Sequence, residues 1–155
     1  MIVEAAPEDH AGLLLSRAPR AYHTPDTPIA PVDVLGMLAG IAAQVRETFS
    51  PASWLIVEGE EVVGLCSIKS PPRAGVIDIG YGIAPSRQNR GIAGRAIGEL
   101  VAWARNAPEV KAVMAETGIA NLPSQRVLAR NGFSRVGERL DDEDGLLICW
   151  RCSAG

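Results

Sequence analysis

Hydrophobic and polar positions along this chain form patterns that predict eleven helices and strands. Short apolar runs rich in Val and Ile, bounded by Gly or Pro, are typical of strands. Apolar positions that recur every three or four residues are typical of helices, and they are clearest from Gly91 to Asn106. The predicted strands are 2–6, 53–59, 61–69, 75–85, 110–117, 133–139 and 145–152, and the predicted helices are 7–18, 32–48, 91–106 and 122–132.

The order of these elements is β-α-α-β-β-β-α-β-α-β-β. It predicts an α/β (α+β) fold in which a mixed, mostly antiparallel sheet is flanked by helices. Pro7 opens the first helix, and the many prolines of 19–31 exclude regular structure there. Gly132 is placed to end the last helix in a left-handed conformation. We therefore expect one domain over residues 1–155.

Composition narrows the class of protein. Of the 155 residues, 47% are apolar and 21% charged, as in an ordinary globular domain. A net charge of −3 disfavours nucleic acid as a partner. The start of the chain lacks the basic region of a signal peptide. Three cysteines are too few for a disulfide framework. The most apolar predicted helix is shorter than the roughly 20 residues that cross a bilayer. These features favour a cytoplasmic protein without a membrane partner.

The segment 85–94, "PSRQNRGIAG", carries the strongest chemical signal. A strand that passes through a glycine-containing turn into a helix presents unpaired backbone N–H groups at the positive end of the helix dipole. Arg87 and Arg90 within the segment, and Arg95 directly after it, add cationic side chains that can reach phosphates. The segment has neither the Gly-Lys-Ser/Thr of a P-loop nor the spacing of a dinucleotide fingerprint. It predicts a site for a phosphate or pyrophosphate group, and His10 and His23 are too isolated to predict a metal site.

Two segments resemble the GNAT superfamily of N-acetyltransferases. Residues 88–93, "QNRGIA", match the Q/R-x-x-G-x-G/A motif that binds the pyrophosphate of acetyl-CoA in that family, and "YGIAP" precedes it where the family has the strand that holds pantetheine. Residues 115–133 resemble the A-E-x-x-x-x-N-x-x-S-x-x-V-L-x-x-x-G-F block of the branch with ribosomal-protein N-terminal acetyltransferases. The resemblance implies transfer of an acetyl group from acetyl-CoA to a primary amine, without a metal.

The resemblance also implies which residues hold acetyl-CoA. Backbone groups of Ile83 and Ala84 would pair with pantetheine and polarise the thioester. The side chains of Asn121 and Ser124 would touch the cofactor where two central strands separate. Backbone N–H groups of residues 88–94, named here the phosphate loop, would hold the pyrophosphate. These residues are Gln88, Asn89, Arg90, Gly91, Ile92, Ala93 and Gly94, and Asn89 replaces a frequent glycine because Asn tolerates the left-handed conformation.

The resemblance identifies the catalytic groups less clearly than the residues that hold acetyl-CoA. Asp78 stands where relatives often carry a Glu, and Glu116 ends the following strand, so either could take the proton from the amine. Glu116 is slightly preferred because it lies just before the matched Asn121 and Ser124. Many relatives place a Tyr, the acid for the departing thiolate, where this chain has Leu128. The acid is therefore absent, or it is Ser124 or a water.

Several alternatives stay open at the level of sequence. The missing Tyr and the unsettled base also fit a non-catalytic module that binds or senses coenzyme A, and the phosphate loop alone would fit a nucleotide-binding protein. The acceptor groove of the family is built from the first two helices, their connecting loop and the last hairpin, which carry no recognisable motif here. A small molecule such as an aminoglycoside or a polyamine, or a peptide N-terminus, could be the acceptor. The assembly could be a monomer or a homodimer.

Overall fold

The computed structural model describes residues 1–155 and confirms the predicted order of elements. Seven strands form one sheet with the spatial order β1-β2-β3-β4-β5-β7-β6. The strands are β1 (Ile2–Glu4), β2 (Ser53–Glu58), β3 (Glu61–Ile68), β4 (Val76–Ile83), β5 (Ala112–Gly118), β6 (Ser134–Asp141) and β7 (Gly145–Ser153). The helices are α1 (Pro7–Leu14), α2 (Val32–Arg46), α3 (Ile92–Arg105) and α4 (Leu122–Arg130).

The sheet is mixed and mostly antiparallel, as predicted, and its one parallel pair lies at the centre. β4 and β5 pair in parallel only from Val76 opposite Ala112 to Ile79 opposite Ala115. Beyond that point β4 continues to Ile83 beside β3, and β5 continues to Gly118 beside β7. The two central strands therefore separate at their carboxyl ends and leave a gap, named here the strand gap.

Helices cover both faces of the sheet. On one face, buried residues of α3 such as Ile97 and Leu100 share a core with Ile56, Ile77 and Ile79. On the other face, α1 and α2 contribute Leu13 and Leu35 to a second buried cluster with Leu55 and Leu65 of the sheet. Since neighbouring residues of a strand point to opposite faces, β2 and β3 supply buried residues to both clusters, whereas β4, β5 and β7 supply only the first.

Two local predictions differ from the structure. The first helix was predicted to reach residue 18 but ends at Leu14, because Ser16 adopts a left-handed conformation (φ 56°) and the N–H of Arg17 closes the turn on the carbonyl of Gly12 at 2.8 Å. A short 3-10 turn at Pro85–Arg87, which the sequence analysis did not predict, joins β4 to the phosphate loop. No helix of the structure combines the length and the apolar character that crossing a membrane requires.

Candidate active site

The phosphate loop carries a row of free backbone donors. Asn89 (φ 64°) and Gly91 (φ 74°) are both left-handed, as the replacement of glycine by Asn suggests for position 89. Gly91 caps the N-terminus of α3. The N–H of Gln88, which was predicted to bind pyrophosphate, donates to the carbonyl of Pro85 at 3.4 Å, whereas the six N–H groups of residues 89–94 donate to no protein acceptor. They lie at the positive end of α3, so the loop has the geometry that binds an anion.

A cavity of about 330 Å³ lies between the phosphate loop, the end of β4 and the start of α4. On the α4 side it is lined by Asn121, Pro123, Ser124 and Val127, and on the loop side by Arg87, Gln88, Asn89, Gly91, Ile92, Ala93 and Gly94. Pyrophosphate on the loop N–H groups would direct the rest of a coenzyme A molecule along this cavity toward the strand gap. The residues present therefore fit acetyl-CoA as the ligand of the cavity.

Arg87 and Arg90 of this segment, and Arg95 directly after it, have different surroundings. Arg87 makes two hydrogen bonds to the carboxylate of Glu61, at 2.6 and 3.0 Å, and Arg95 is paired with Glu58. Arg90 makes no side-chain hydrogen bond or ion pair and is exposed. Of the three guanidinium groups, only that of Arg90 is free for a ligand phosphate.

The hydrogen bonding of β4 corrects one of the predicted backbone contacts. Ala84 donates its N–H to the carbonyl of Val63 at 2.8 Å, so this group belongs to the sheet and cannot pair with pantetheine. Alternation along the strand turns the backbone groups of Tyr81 and Ile83 the other way, toward the strand gap. The carbonyl of Ile83 already accepts a hydrogen bond from the side-chain amide of Gln88 at 3.0 Å.

The start of α4 brings two predicted residues to the cavity and adds one that sequence reasoning missed. Asn121 caps the helix, and its Oδ1 accepts the N–H of Ser124 at 3.3 Å. The hydroxyl of Ser124 lies 2.6 Å from that of Tyr81 on β4. Tyr81 stands inside the "YGIAP" segment, but only its place on the strand reveals that it faces α4. Leu128, at the family's Tyr position, is fully buried.

Glu116 and Asp78 lie on the opposite face of the sheet from Tyr81. Asp78 is an odd number of residues from Tyr81 along β4, and Glu116 shares the face of Met114, the residue that pairs with Asp78. Arg139 donates two hydrogen bonds to the Glu116 carboxylate, at 2.7 and 2.9 Å, and Lys69 donates another at 3.0 Å. The hydrogen bonds from Arg139 and Lys69 hold the pKa of Glu116 at about 2. Such a carboxylate is a weak base, which argues against the preference for Glu116.

Asp78 has the opposite environment. Its side chain is half-buried, and its Oδ1 is buried without a hydrogen-bond partner. Burial raises the pKa of Asp78 above its usual value, and the nearby Glu116 carboxylate raises it further, while Lys69 and Arg139 act against them. A carboxylate that is poorly solvated and has a free oxygen is the better proton acceptor of the two.

A family model confirms the resemblance that the two motif segments indicate. The model described as an acetyltransferase (GNAT) domain matches residues 1–134 of the chain. The chain belongs to the GNAT acetyltransferase family. It is therefore an acetyl-CoA-dependent N-acetyltransferase, and acetyl-CoA is its cosubstrate. No curated protein sequence matches it significantly.

Solved structures of GNAT enzymes share the fold at low sequence identity. An aminoglycoside acetyltransferase in complex with ribostamycin and coenzyme A is 18% identical, with a TM-score of 0.70 over 99% of this chain and 92% of that one. The ribosomal L7/L12 alpha-N-protein acetyltransferase RimL, bound to coenzyme A, is 16% identical, with a TM-score of 0.73 over 99% and 94%. The ribosomal-protein-S5-alanine acetyltransferase of Vibrio fischeri is 19% identical, with a TM-score of 0.71 over 99% and 92%.

The ion pairs of Glu116 predict an acid-sensitive contribution to stability. The pKa of Glu116 lies below its unfolded value of 4.5, so its contribution is present above pH 4.5 and is lost as the pH falls toward about 2. We expect Glu116→Gln to lower the free energy of unfolding by about 1–2 kcal/mol at pH 7. Urea denaturation at a series of pH values measures this difference.

The matched control is Glu138→Gln, which changes an exposed carboxylate of β6 that makes no ion pair. We expect it to shift the free energy of unfolding by less than about 0.5 kcal/mol at any pH. A loss for Glu116→Gln that stays constant between pH 7 and pH 3 would contradict the assignment to the ion pairs.

Proposed function

We propose that the protein acetylates a primary amine of a small molecule or a peptide N-terminus by direct attack on bound acetyl-CoA. One observation carries the proposal: β4 and β5 separate after Ile79 and Ala115, the cavity of the phosphate loop lies at the end of β4, and Asp78 stands one residue before the separation on the opposite face. Pyrophosphate on the free backbone N–H groups of 89–94 would place the thioester in the gap. The amine would approach it from the side of Asp78.

The reaction needs few groups in this arrangement. The amine nitrogen attacks the thioester carbonyl, the C–N bond forms, and the C–S bond then breaks with its electron pair on sulfur. Asp78 takes the proton that the nitrogen loses and passes it to solvent, and the thiolate takes a proton in turn. Backbone groups of Ile83 that face the gap support the pantetheine arm, and Asn121 fixes the start of α4 beside it. Holding the two reactants together supplies much of the acceleration.

The class of acceptor is inferred from charge and from the structural neighbours. Those neighbours include enzymes named for aminoglycosides, for ribosomal proteins and for spermidine, which all present amines. The turn between β6 and β7 exposes Asp142, Glu143 and Asp144, which favour the approach of a cationic molecule. An amine flanked by further positive charge is therefore the favoured acceptor.

Two measurements test the proposed function. Isothermal titration should detect acetyl-CoA binding, and a library of amines and short peptides should include acceptors that accelerate the release of free coenzyme A, followed with a thiol reagent. Lack of binding at high micromolar acetyl-CoA would refute the cofactor assignment. Binding without amine-dependent release of thiol would instead identify a module that only binds coenzyme A.

Arg90 supplies a further prediction about the cosubstrate. Its free and exposed guanidinium is expected to contact a peripheral phosphate of acetyl-CoA, so Arg90→Ala should weaken binding about three- to tenfold at low salt. The effect should shrink as salt is added, because an exposed charge pair is screened. Titration calorimetry at two salt concentrations measures it. Arg105→Ala removes an equally exposed, unpaired arginine at the other end of α3 and should leave the affinity unchanged.

We further propose that residues 1–155 form one acetyltransferase domain and that the protein works in the cytoplasm. Support comes from the sheet, whose hydrogen-bonded strands extend from Ile2 to Ser153 without a break between units. Its three cysteines carry free thiols, which suits a reducing compartment.

A further inference from the structure

A pair of hydroxyl groups spans the cavity between β4 and α4. The oxygens of Tyr81 and Ser124 lie 2.6 Å apart, and both residues line the cavity that the phosphate loop closes at its other end. Among the residues that line this cavity, no other carries a hydroxyl group. The pair therefore holds every hydroxyl proton that the cavity can offer to a bound thioester.

The direction of this hydrogen bond follows from acidity. A phenol has a pKa of about 10 and is a far stronger acid than the alcohol of serine, so Tyr81 is the better donor and Ser124 the better acceptor. Burial raises the pKa of Tyr81 further, and the phenol stays protonated at neutral pH. With its oxygen engaged by Tyr81, Ser124 keeps its own hydrogen free for a third group.

The position of Ser124 favours a negative partner. Ser124 lies in the first turn of α4, where the helix dipole is positive. The buried Leu128 supplies no hydroxyl from the next turns of the same helix. When the C–S bond of acetyl-CoA breaks, the sulfur carries the electron pair and needs a hydrogen-bond donor at this end of the strand gap.

We propose that Tyr81 is a positioning residue that donates to Ser124 and thereby aims the Ser124 hydroxyl at the departing sulfur. The inference rests on the acetyl transfer proposed above. The C–S bond breaks, its electron pair stays on sulfur, and the thiolate is held by the Ser124 hydrogen bond until it takes a proton from solvent. Neither hydroxyl loses its own proton, so Tyr81 and Ser124 end the cycle as they began it.

The first test removes one hydroxyl at a time. Tyr81→Phe keeps the ring in its place and should lower kcat about tenfold, the typical effect of losing a hydrogen bond that acts on a charged group. The dissociation constant of acetyl-CoA should change less than about twofold, since the hydroxyl is not assigned to the phosphates. Ser134→Ala, which removes an exposed hydroxyl from β6, should leave kcat unchanged.

A double-mutant cycle then asks whether Tyr81 acts through Ser124. In the Ser124→Ala background, Tyr81→Phe should cause no further loss of kcat beyond about twofold, because its partner is gone. If the double variant loses kcat by the product of the factors lost in the two single variants, the inference is overturned. Wild-type turnover in Tyr81→Phe would also overturn it.

A change of leaving group provides a readout that a purely structural role would not move. A selenolate is a weaker base than a thiolate and needs less stabilisation, so the selenoester analogue of acetyl-CoA should restore much of the lost rate to Tyr81→Phe. If Tyr81→Phe loses the same factor in rate with acetyl-CoA and with its selenoester analogue, the inference is overturned. If the wild-type protein transfers no acetyl group to any amine, the proposed function fails, and the role of Tyr81 fails with it. If the wild-type protein is active and Tyr81→Phe is equally active, only the proposed role of Tyr81 is refuted.

Discussion

Gly91→Glu is expected to weaken acetyl-CoA binding by about 100-fold or more without unfolding the protein. Gly91 caps α3 in the left-handed conformation and lines the cavity beside the six free N–H groups. A carboxylate at this position would occupy the N–H groups itself and repel the pyrophosphate, so it removes charge-assisted hydrogen bonds and adds like-charge repulsion. Titration calorimetry with acetyl-CoA measures the loss.

Controls separate the added charge from the strain of the backbone. A side chain at the Gly91 φ of 74° costs about 1–2 kcal/mol of stability, and its Cβ would meet only Arg95 Nη1, at 3.1 Å. Gly91→Ala shares this strain without the charge and should lose far less affinity. Gly132→Glu combines the same charge with a similar φ of 86° at the far end of α4, away from the cavity. If Gly91→Glu binds acetyl-CoA within threefold of wild type, the phosphate loop does not hold the pyrophosphate.

The fold and the phosphate loop could be predicted because their signals are local. The strands follow from short apolar runs, and the left-handed conformations of Asn89 and Gly91 follow from side-chain chemistry at two positions. The length of α1 could not be predicted in the same way. Nothing in the sequence singles out Ser16 as a left-handed residue that ends the helix.

The surroundings of the candidate catalytic residues were harder to predict because they come from distant strands. Lys69 lies 47 residues and Arg139 lies 23 residues from Glu116 in sequence. Only the register of the sheet brings these two cations to the Glu116 carboxylate. Tyr81 and Ser124 are separated by 43 residues and meet across the cavity. A motif identifies Glu116 and Ser124 as neighbours in sequence but leaves their partners undefined. Charge pairing that no local pattern contains therefore favours Asp78 over Glu116 as the candidate base.

Asp78→Asn is expected to lower kcat by about 10²–10⁴ and to leave acetyl-CoA affinity unchanged, because general-base help is typically worth this factor. The substitution keeps the size of the side chain and removes its basicity. Glu116→Gln should lose less than about tenfold, since the wild-type carboxylate is already committed to Arg139 and Lys69. Initial rates with saturating amine and acetyl-CoA measure both. Wild-type turnover in both Asp78→Asn and Glu116→Gln would show that neither carboxylate acts as base and that positioning of a neutral amine suffices.

The pH dependence of kcat/KM in the wild type and in Asp78→Asn gives a sharper test of the role of Asp78. Asp78 accepts a proton only when it is ionised, and its pKa is raised by burial and by Glu116, so wild-type kcat/KM should fall as the pH drops through that raised pKa. This limb should vanish in Asp78→Asn, which leaves only the titration of the amine. Asp78→Asn should lower the rate without lowering the stability of the folded protein. A raised pKa means that the ionised Asp78 costs the folded protein stability at neutral pH, and Asn removes that cost. Asp78→Asn should therefore melt no lower than wild type, and a slow but stable variant excludes unfolding as the cause of the lost rate.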